Sequence, residues 1–274
     1  MIDLENASPL TTLDLARCPA CSSALAGARG CPGCGFAAAV NDGILESIGP
    51  LEGRSAIAAA FYDGPGWARF RPWEQGFLWL QGGVRKARRE ILRHLDAMPG
   101  ERPLVLEVGI GDGENLRILD PRFRVHGVDL ARTRLTACLA RHPDQSDRLA
   151  WAEAEQLPYA DGVFDACYTI GGFNYFRDHA AALREMKRVV KPGAPVIVAD
   201  ERPNLHQFGL GHLIGRPALD AWWLEKLGLD APFVEMVLSL DLDLPGLFSQ
   251  VWPRAVRHSI WHGLGYCYTD RQIA

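Results

Sequence analysis

Two groups of residues in this chain have the types and spacing that chemistry requires. The first is Glu107-Val108-Gly109-Ile110-Gly111-Asp112-Gly113, with Asp129 sixteen residues past the last glycine. Glycines let a backbone pass close to a ligand, a helix opening behind them offers free N–H groups, and a later carboxylate accepts two ribose hydroxyls. The expected ligand is a nucleoside-containing cofactor. The second group is Cys18-Pro19-Ala20-Cys21, then nine residues, then Cys31-Pro32-Gly33-Cys34-Gly35. Each C-x-x-C pair curls so that its sulfurs face one point, and two such turns make a tetrahedral thiolate site for Zn2+. Gly33 and Gly35 are expected to give the second turn its backbone freedom. A redox disulfide is the alternative. Structural zinc is preferred because so short a segment cannot hold a core without a staple, and four ligands leave the metal no open position. Cys138, Cys167 and Cys267 are scattered and read as small buried hydrophobes.

The elements around the glycine turn alternate. Leu104–Val108 reads as a strand, Glu114–Leu119 as a helix, Val125–Val128 as a strand and Arg132–Arg141 as a helix. Strands at Leu149–Ala152 and Phe164–Thr169 follow, then a helix over Ala180–Val190, a break at Lys191-Pro192-Gly193, and a strand at Val196–Ala199. This rhythm implies parallel strands with right-handed crossovers, hence an α/β doubly wound, Rossmann-like sheet with its ligand above the carboxyl ends of the strands. Upstream, Val84, Ala87, Ile91, Leu95 and Met98 mark an amphipathic helix. Its Arg85, Lys86, Arg88, Arg89 and Arg93 read as a solvated face, with an RNA-binding stripe as the alternative. Residues 1–50 are read as a zinc ribbon and 51–274 as the main domain. Within the latter, 51–83 is an aromatic-rich cap and 201–250 a helical insertion after the fifth strand, packed over the active face. The tail from about Ala255 is expected to close the sheet with an antiparallel pair.

Composition sets the outer bounds. Hydrophobic content of 48%, charged content of 23% and a net charge of −4 describe an ordinary globular chain with no global field to recruit nucleic acid. The first 50 residues set only Arg17 and Arg29 against five acids, which argues further against RNA contact by the ribbon. No apolar run is long enough to span a membrane, and the start lacks signal-peptide features, so a cytoplasmic location is expected.

Four stretches together resemble the class I S-adenosylmethionine-dependent methyltransferases, over roughly residues 85–200. They are Glu107–Gly113; Gly127-Val128-Asp129-Leu130; Ala152–Tyr159 leading to Phe164-Asp165; and Leu183–Gly193. The last two resemble the methyltransferase-11 branch, which includes quinone methyltransferases. The first fifty residues are similar to Trm112-like zinc ribbons and to the ribbon of bacterial 23S rRNA guanine methyltransferases. The resemblance implies that Gly109 and Gly111 border the methionine moiety, Asp129 binds the ribose, and Leu130 packs on adenine. Glu153 falls near the adenine amino group and Ala154 offers a backbone N–H to the adenine ring, with Glu107, Gly113 and Thr169 completing the cofactor set. Ala194 stands where the family usually has a second glycine.

The acceptor side is less defined. After the fourth strand, Asn174, Tyr175 and His179 are candidates for catalysis, His179 having helix capping as its alternative role. No N/D-P-P-Y motif stands there, which argues against amino-methylating DNA and glutamine enzymes. The resemblance places Tyr62, Arg69 and Arg71 in a segment that folds over the cofactor, where an arginine could pair the methionine carboxylate, with surface placement as the alternative. His206, His212, His258 and His262 lack metal-ligand spacing and read as structural or substrate-lining. The aromatic 55–80 segment and the 201–250 insertion imply a small hydrophobic or aromatic acceptor. Two alternatives remain open: an rRNA or tRNA base methyltransferase using the ribbon, and a noncatalytic module that docks a partner protein.

Overall fold

A computed structural model describes residues 10–27, 30–203, 209–216 and 218–270. In chain order the elements are α1 (Thr12–Leu15), β1 (Ala39–Asn41), β2 (Ile44–Glu46), α2 (Gly53–Asp63), α3 (Pro65–Leu80), α4 (Val84–Leu92) and β3 (Leu104–Val108). β4 (Arg124–Asp129), α5 (Arg132–Arg141), β5 (Leu149–Trp151), β6 (Ala166–Ile170), α6 (His179–Val189) and β7 (Val196–Glu201) complete the alternating part. Then come α7 (Leu210–Leu213), α8 (Ala218–Lys226), α9 (Ala231–Leu238), α10 (Leu244–Val251), β8 (Val256–Ile260) and β9 (Gly265–Asp270).

All nine strands form one sheet in the order β1-β2-β5-β4-β3-β6-β7-β9-β8. From β2 to β7 every neighbour is parallel, while β1 on one edge and β9 and β8 on the other run antiparallel. β3 has all five of its residues buried, as a central parallel strand covered on both faces requires. Chain order reverses between β3 and β6, so the glycine turn after β3 opens at the switch point of the sheet. Helix α6 shows how local sequence sets an element. Asp178 caps it by accepting the Ala181 N–H at 2.9 Å, and Ala182, Leu183, Met186 and Val189 bury one face. Val190 then turns to extended backbone, and its following Lys-Pro-Gly cannot continue the helix.

Three features depart from the sequence expectations. The helix expected over Glu114–Leu119 is only a 3-10 turn, Glu114–Arg117. Part of the first fifty residues joins the main sheet, because β2 pairs in parallel with β5 from Ile44–Leu149 to Glu46–Trp151. The insertion also divides its duties. Its α9 packs behind the cap, with Phe233 stacked on Phe61 of α2 at 3.9 Å between ring centroids, and no described residue of the 201–250 insertion lines the cleft it was expected to line. Its α10 instead enters the main core, where Phe248 stacks on Tyr268 of β9 at 3.7 Å.

The cysteine segment sits against this sheet. Arg17 N–H donates to the Pro158 carbonyl at 3.0 Å, Ala160 N–H to Leu15 at 2.9 Å, and the Arg17 guanidinium meets Glu185 of α6 at 3.2 Å. Cys18, Leu25 and Cys31 are buried in the same core as the sheet residues. The two C-x-x-C turns are built alike. Cys18 and Cys31 each accept an N–H four residues on, from Ser22 at 2.8 Å and Gly35 at 2.9 Å. Ser22 and Gly35 hold the matching left-handed position at φ +61° and +73°. Gly33 is not left-handed, so only one of the two glycines expected to matter for backbone freedom has that role.

Candidate active site

The glycine turn is fixed by the strand beside it. Gly109 and Ile110 both donate N–H groups to the Val128 carbonyl, at 2.8 and 3.1 Å. Gly111 has φ +55° and open space where a Cβ would stand, which leaves bare backbone facing the cleft. Gly113, at φ +78°, serves packing instead, because a Cβ there would meet Cys138 and His142 of the α5 region within 3.0 Å.

Asp129 closes the turn at the end of β4. Its Oδ2 accepts the Gly111 N–H at 2.7 Å and its Oδ1 the Ala131 N–H at 2.8 Å, leaving each oxygen a further lone pair. Burial pushes its carboxyl up to about 6, against those two hydrogen bonds. Glu107 is buried behind it, accepting from Asn115 Nδ2 at 2.6 Å and from the Tyr168 hydroxyl at 2.7 Å. Burial outweighs both bonds and raises Glu107 to about 7.

A cleft of about 1130 Å³, counting its open mouth, lies between this turn and the cap helices. Leu130, Ala152 and Ala154 form a flat apolar wall next to Asp129. Opposite stand Arg71, Glu74 and Arg88. The Arg71 guanidinium pairs with Asp112 at 2.7 Å, while Arg88 pairs with Glu74 at 3.2 Å and donates to the Ile170 carbonyl at 3.1 Å. Tyr62 of the cap packs edge-on against Tyr175 at 6.3 Å between ring centroids, and Trp67 and Phe176 also line the cleft. A bare backbone turn, a carboxylate with spare acceptor capacity and a narrow apolar wall fit the ribose and base of an adenosyl cofactor.

Of the residues singled out in the sequence, Glu107, Gly109, Gly111, Asp129, Leu130, Ala154 and Tyr175 line one cleft, as do Tyr62 and Arg71. Others lie outside it. Glu153 accepts the Ser55 hydroxyl at 2.6 Å and faces Arg177, tying the cap helix α2 to the sheet. Thr169 is buried beneath the glycine turn, with its Oγ1 lacking a partner. Asn174 is a structural hub: its N–H donates to Asp200, its Nδ2 to the Glu201 carbonyl, and its Oδ1 accepts the Tyr266 hydroxyl. His179 packs edge-on against Phe173 at 5.1 Å, and burial lowers its pKa, so it is set into the protein rather than the cleft. Arg69 lies on the outer side of α3 against Gly228. His258 bonds Thr269, and His262 bonds Gln81. His206 lies outside the described residues.

Sequence reasoning missed Glu74, Arg88 and Arg134 as cleft residues, whereas Trp67 belongs to the aromatic 55–80 segment expected to line the acceptor pocket. Arg88 was hidden in the basic run of α4. Its place between Ala87 and Ile91, which are both buried, was the available sign that this arginine sits near the inner boundary of the helix.

The comparisons with known proteins agree with this geometry. Residues 106–198 match the family model described as a methyltransferase domain. The chain is 35% identical over 202 residues to the 2-methyl-6-phytyl-1,4-hydroquinone methyltransferase of Synechocystis sp., covering 65% of this chain and 63% of that one. It is 32% identical over 179 residues to the 2-phytyl-1,4-naphtoquinone methyltransferase of Trichormus variabilis, covering 60% and 75%. Among solved structures, the plantazolicin methyltransferase BpumL in complex with SAH superposes with a TM-score of 0.54 at 12% identity, over 80% of this chain and 95% of that one, and shares the fold. The chain belongs to the S-adenosylmethionine-dependent methyltransferases, with their Rossmann-like fold.

Proposed function

We infer that the protein, working from the cytoplasm, methylates a small hydrophobic or aromatic acceptor, of the prenylated hydroquinone or naphthoquinol kind for which its relatives are named. The observation that carries this reading is the division of the cleft. Charged groups crowd the donor end, where Arg71, Glu74 and Arg88 are paired, while Tyr62, Trp67, Ile170, Tyr175 and Phe176 surround the rest. Flat aromatic walls with few polar groups suit a quinol ring.

The cofactor supplies an activated methyl group on a sulfonium, and transfer needs the acceptor held in line with it. A hydroxyl or ring-carbon acceptor also sheds a proton. Tyr175 faces the cleft and donates its hydroxyl to Glu201 Oε1 at 2.8 Å, so it can accept the proton while passing its own to Glu201. Asp200 lies beside Glu201, and burial together with the Glu201 charge raises its carboxyl well above the usual range. The test is to incubate the purified chain and cofactor with prenylated hydroquinones, naphthoquinols and polar catechols, and to read methylation by mass spectrometry. Transfer to polar acceptors alone would overturn the reading.

We also propose that the cysteine segment is a Trm112-like structural zinc ribbon. Four sulfurs lie within 4.8 Å of one another, with Cys18 and Cys34 at 3.6 Å and Cys21 and Cys31 at 3.5 Å. Tetrahedral Zn–S bonds of about 2.3 Å would set sulfurs about 3.8 Å apart. A structural role is supported by the segment's seat on the sheet edge, and by the cleft lining, which includes none of residues 10–50. Metal analysis should find one zinc per chain, and a metal-free, fully stable chain would refute it.

A further inference from the structure

Among the described residues, large exposed apolar side chains are concentrated rather than scattered. Trp73, Trp79 and Leu80 belong to α3, and Leu213, Ile214, Leu219, Trp222 and Trp223 lie on and between α7 and α8. Trp79 is 73% exposed, Trp73 56%, Trp223 55% and Trp222 48%. These are four of the eight tryptophans in the chain. A concentration of this kind marks an interaction surface.

The two stretches adjoin. Helix α3 has two faces at helical spacing. Trp67, Arg71, Glu74, Gln75 and Leu78 line the cleft, and Arg69, Trp73, Gly76 and Leu80 follow the other side. Gly228, two residues past α8, lies against the start of that outer side, since a Cβ on it would stand 2.5 Å from Arg69 Cβ. Trp73 is one turn further along. In α8 itself no residue is buried. Ala221 and Leu224 pack partly on the Phe61–Phe233 cluster, which leaves Leu219, Trp222 and Trp223 outward.

Basic groups border the patch in a chain whose net charge is −4. Exposed Arg85, Lys86 and Arg89 follow Trp79 and Leu80 across the Gly82–Gly83 turn. Arg216 is exposed between Ile214 and Leu219, and Lys226 Nζ sits 5.6 Å from the Trp222 ring. Neighbouring acids include Asp96, paired with Arg89 at 2.8 Å; Asp220, which accepts the Gly211 and His212 N–H groups; Asp230, which accepts the Phe233 N–H; and Glu225. Indole rings favour the level of lipid headgroups, aliphatic side chains the acyl boundary just below, and Arg and Lys the phosphates. The four tryptophans could also stack on bases, but Leu80, Leu213, Ile214 and Leu219 add exposed aliphatic surface that nucleic acid does not cover and an acyl boundary does. No helix among the described residues is long and apolar enough to cross a membrane, so the contact would be peripheral.

We propose that the outer face and C-terminal end of α3 and the outer face of α8 dock this protein on an anionic phospholipid bilayer, with Trp73, Trp79, Trp222 and Trp223 seated among the headgroups. The proposal stands apart from the acceptor reading. If both hold, the cleft wall and the docking face are two sides of one helix, and a lipid-tailed acceptor has a short path between them.

The test is co-sedimentation of the whole chain with phosphatidylcholine vesicles containing phosphatidylglycerol, and with vesicles of phosphatidylcholine alone. The chain should pellet with the anionic vesicles. Binding should fall on the order of tenfold or more in Trp222→Ser/Trp223→Ser and in Arg85→Glu/Lys86→Glu, since apolar anchoring and headgroup attraction add. S-adenosylhomocysteine affinity should stay unchanged in both variants, which shows that they are folded and keeps this test separate from the methyltransferase reading. Wild-type chain remaining in the supernatant, or pelleting equally in both variants, would overturn the proposal. So would tighter binding to single-stranded RNA than to vesicles, or a wild-type dimer that the tryptophan variant loses.

Discussion

Cofactor affinity should rise with pH through about 6, because of Asp129. Its carboxyl is held up to about 6 by burial, while the backbone N–H groups of Gly111 and Ala131 pull the other way. A folded-state pKa above the ordinary 3.8 means that the unliganded site keeps a proton well into the acid range. Only the ionised carboxylate has lone pairs for two ribose hydroxyls as well as the two backbone donors. Below the pKa, binding must expel the proton and affinity falls tenfold per pH unit. Between pH 8 and pH 5 the S-adenosylhomocysteine Kd should therefore weaken roughly tenfold, or about 1.4 kcal/mol. Calorimetry in buffers of different ionisation enthalpy should count close to one proton released at pH 5 and almost none from this group at pH 8. Glu107→Gln is the appropriate background, since Glu107 titrates near 7 in the same site. Asp129→Asn should flatten the pH dependence and weaken binding at every pH, because its amide hydrogens would face the Gly111 or Ala131 N–H. A Kd equal at pH 5 and pH 8, or the same slope in Asp129→Asn, would refute the reasoning.

Glu107 gives a stability prediction of defined sign. Its folded pKa is raised from 4.5 to about 7, so the stability it contributes is full below 4.5 and is lost as pH rises to 7. That rise is worth about 3 kcal/mol, and unliganded Glu107→Gln should show a correspondingly flatter melting temperature between pH 4.5 and 8. Tyr175→Phe and Glu201→Gln should each lower kcat on the order of a hundredfold while leaving S-adenosylhomocysteine affinity nearly unchanged, as measured by single-turnover methylation and calorimetry. A drop in cofactor affinity instead would assign them to the donor end. Cys18→Ser or Cys31→Ser should eliminate bound zinc and lower the Tm without changing the acceptor preference of the remaining folded enzyme.

The donor end was legible because backbone geometry defines it. A turn with three left-handed positions in five residues, Gly109, Gly111 and Gly113, strongly favours glycines, and Asp129 sits at the fixed end of the next strand. The alternation of apolar runs likewise placed the parallel strands from β3 to β7. The later motif stretches were harder to interpret, because the acids there hold the scaffold rather than the ligand. Asp165 accepts the Leu104 N–H at 2.7 Å, Glu155 caps Arg177 and Asp178, and Glu153 is engaged by Ser55. A carboxylate has the same sequence signature whether it meets ribose or a backbone amide. The acceptor end was not legible in detail because it is assembled across long range. Arg88 reaches Glu74 and Ile170, and Phe233 reaches Phe61, through contacts with no local period. The merger of β2 with β5 was hidden for a similar reason, since Ile44-Leu45-Glu46 is too short to announce a parallel strand.

These two ends differ in what holds them, and the difference has a consequence for specificity. At the donor end, main-chain atoms and one carboxylate define the site, and strand pairing to Val128 fixes the turn itself. At the acceptor end, side chains of α2, α3 and the 3-10 turn Phe173–Tyr175 define it, and α9 braces them from outside through Phe233. Side chains on a cap can change in size and polarity while the sheet stays the same, whereas the glycine turn cannot change without losing its conformation. One wall, however, is shared. Helix α3 supplies Arg71 and Glu74 to the donor end and Trp67 to the acceptor end, and its far side carries Trp73 and Leu80 at the surface. A shift of this helix moves both halves of the cleft together, which couples how the cofactor is held to what lies against the outer face.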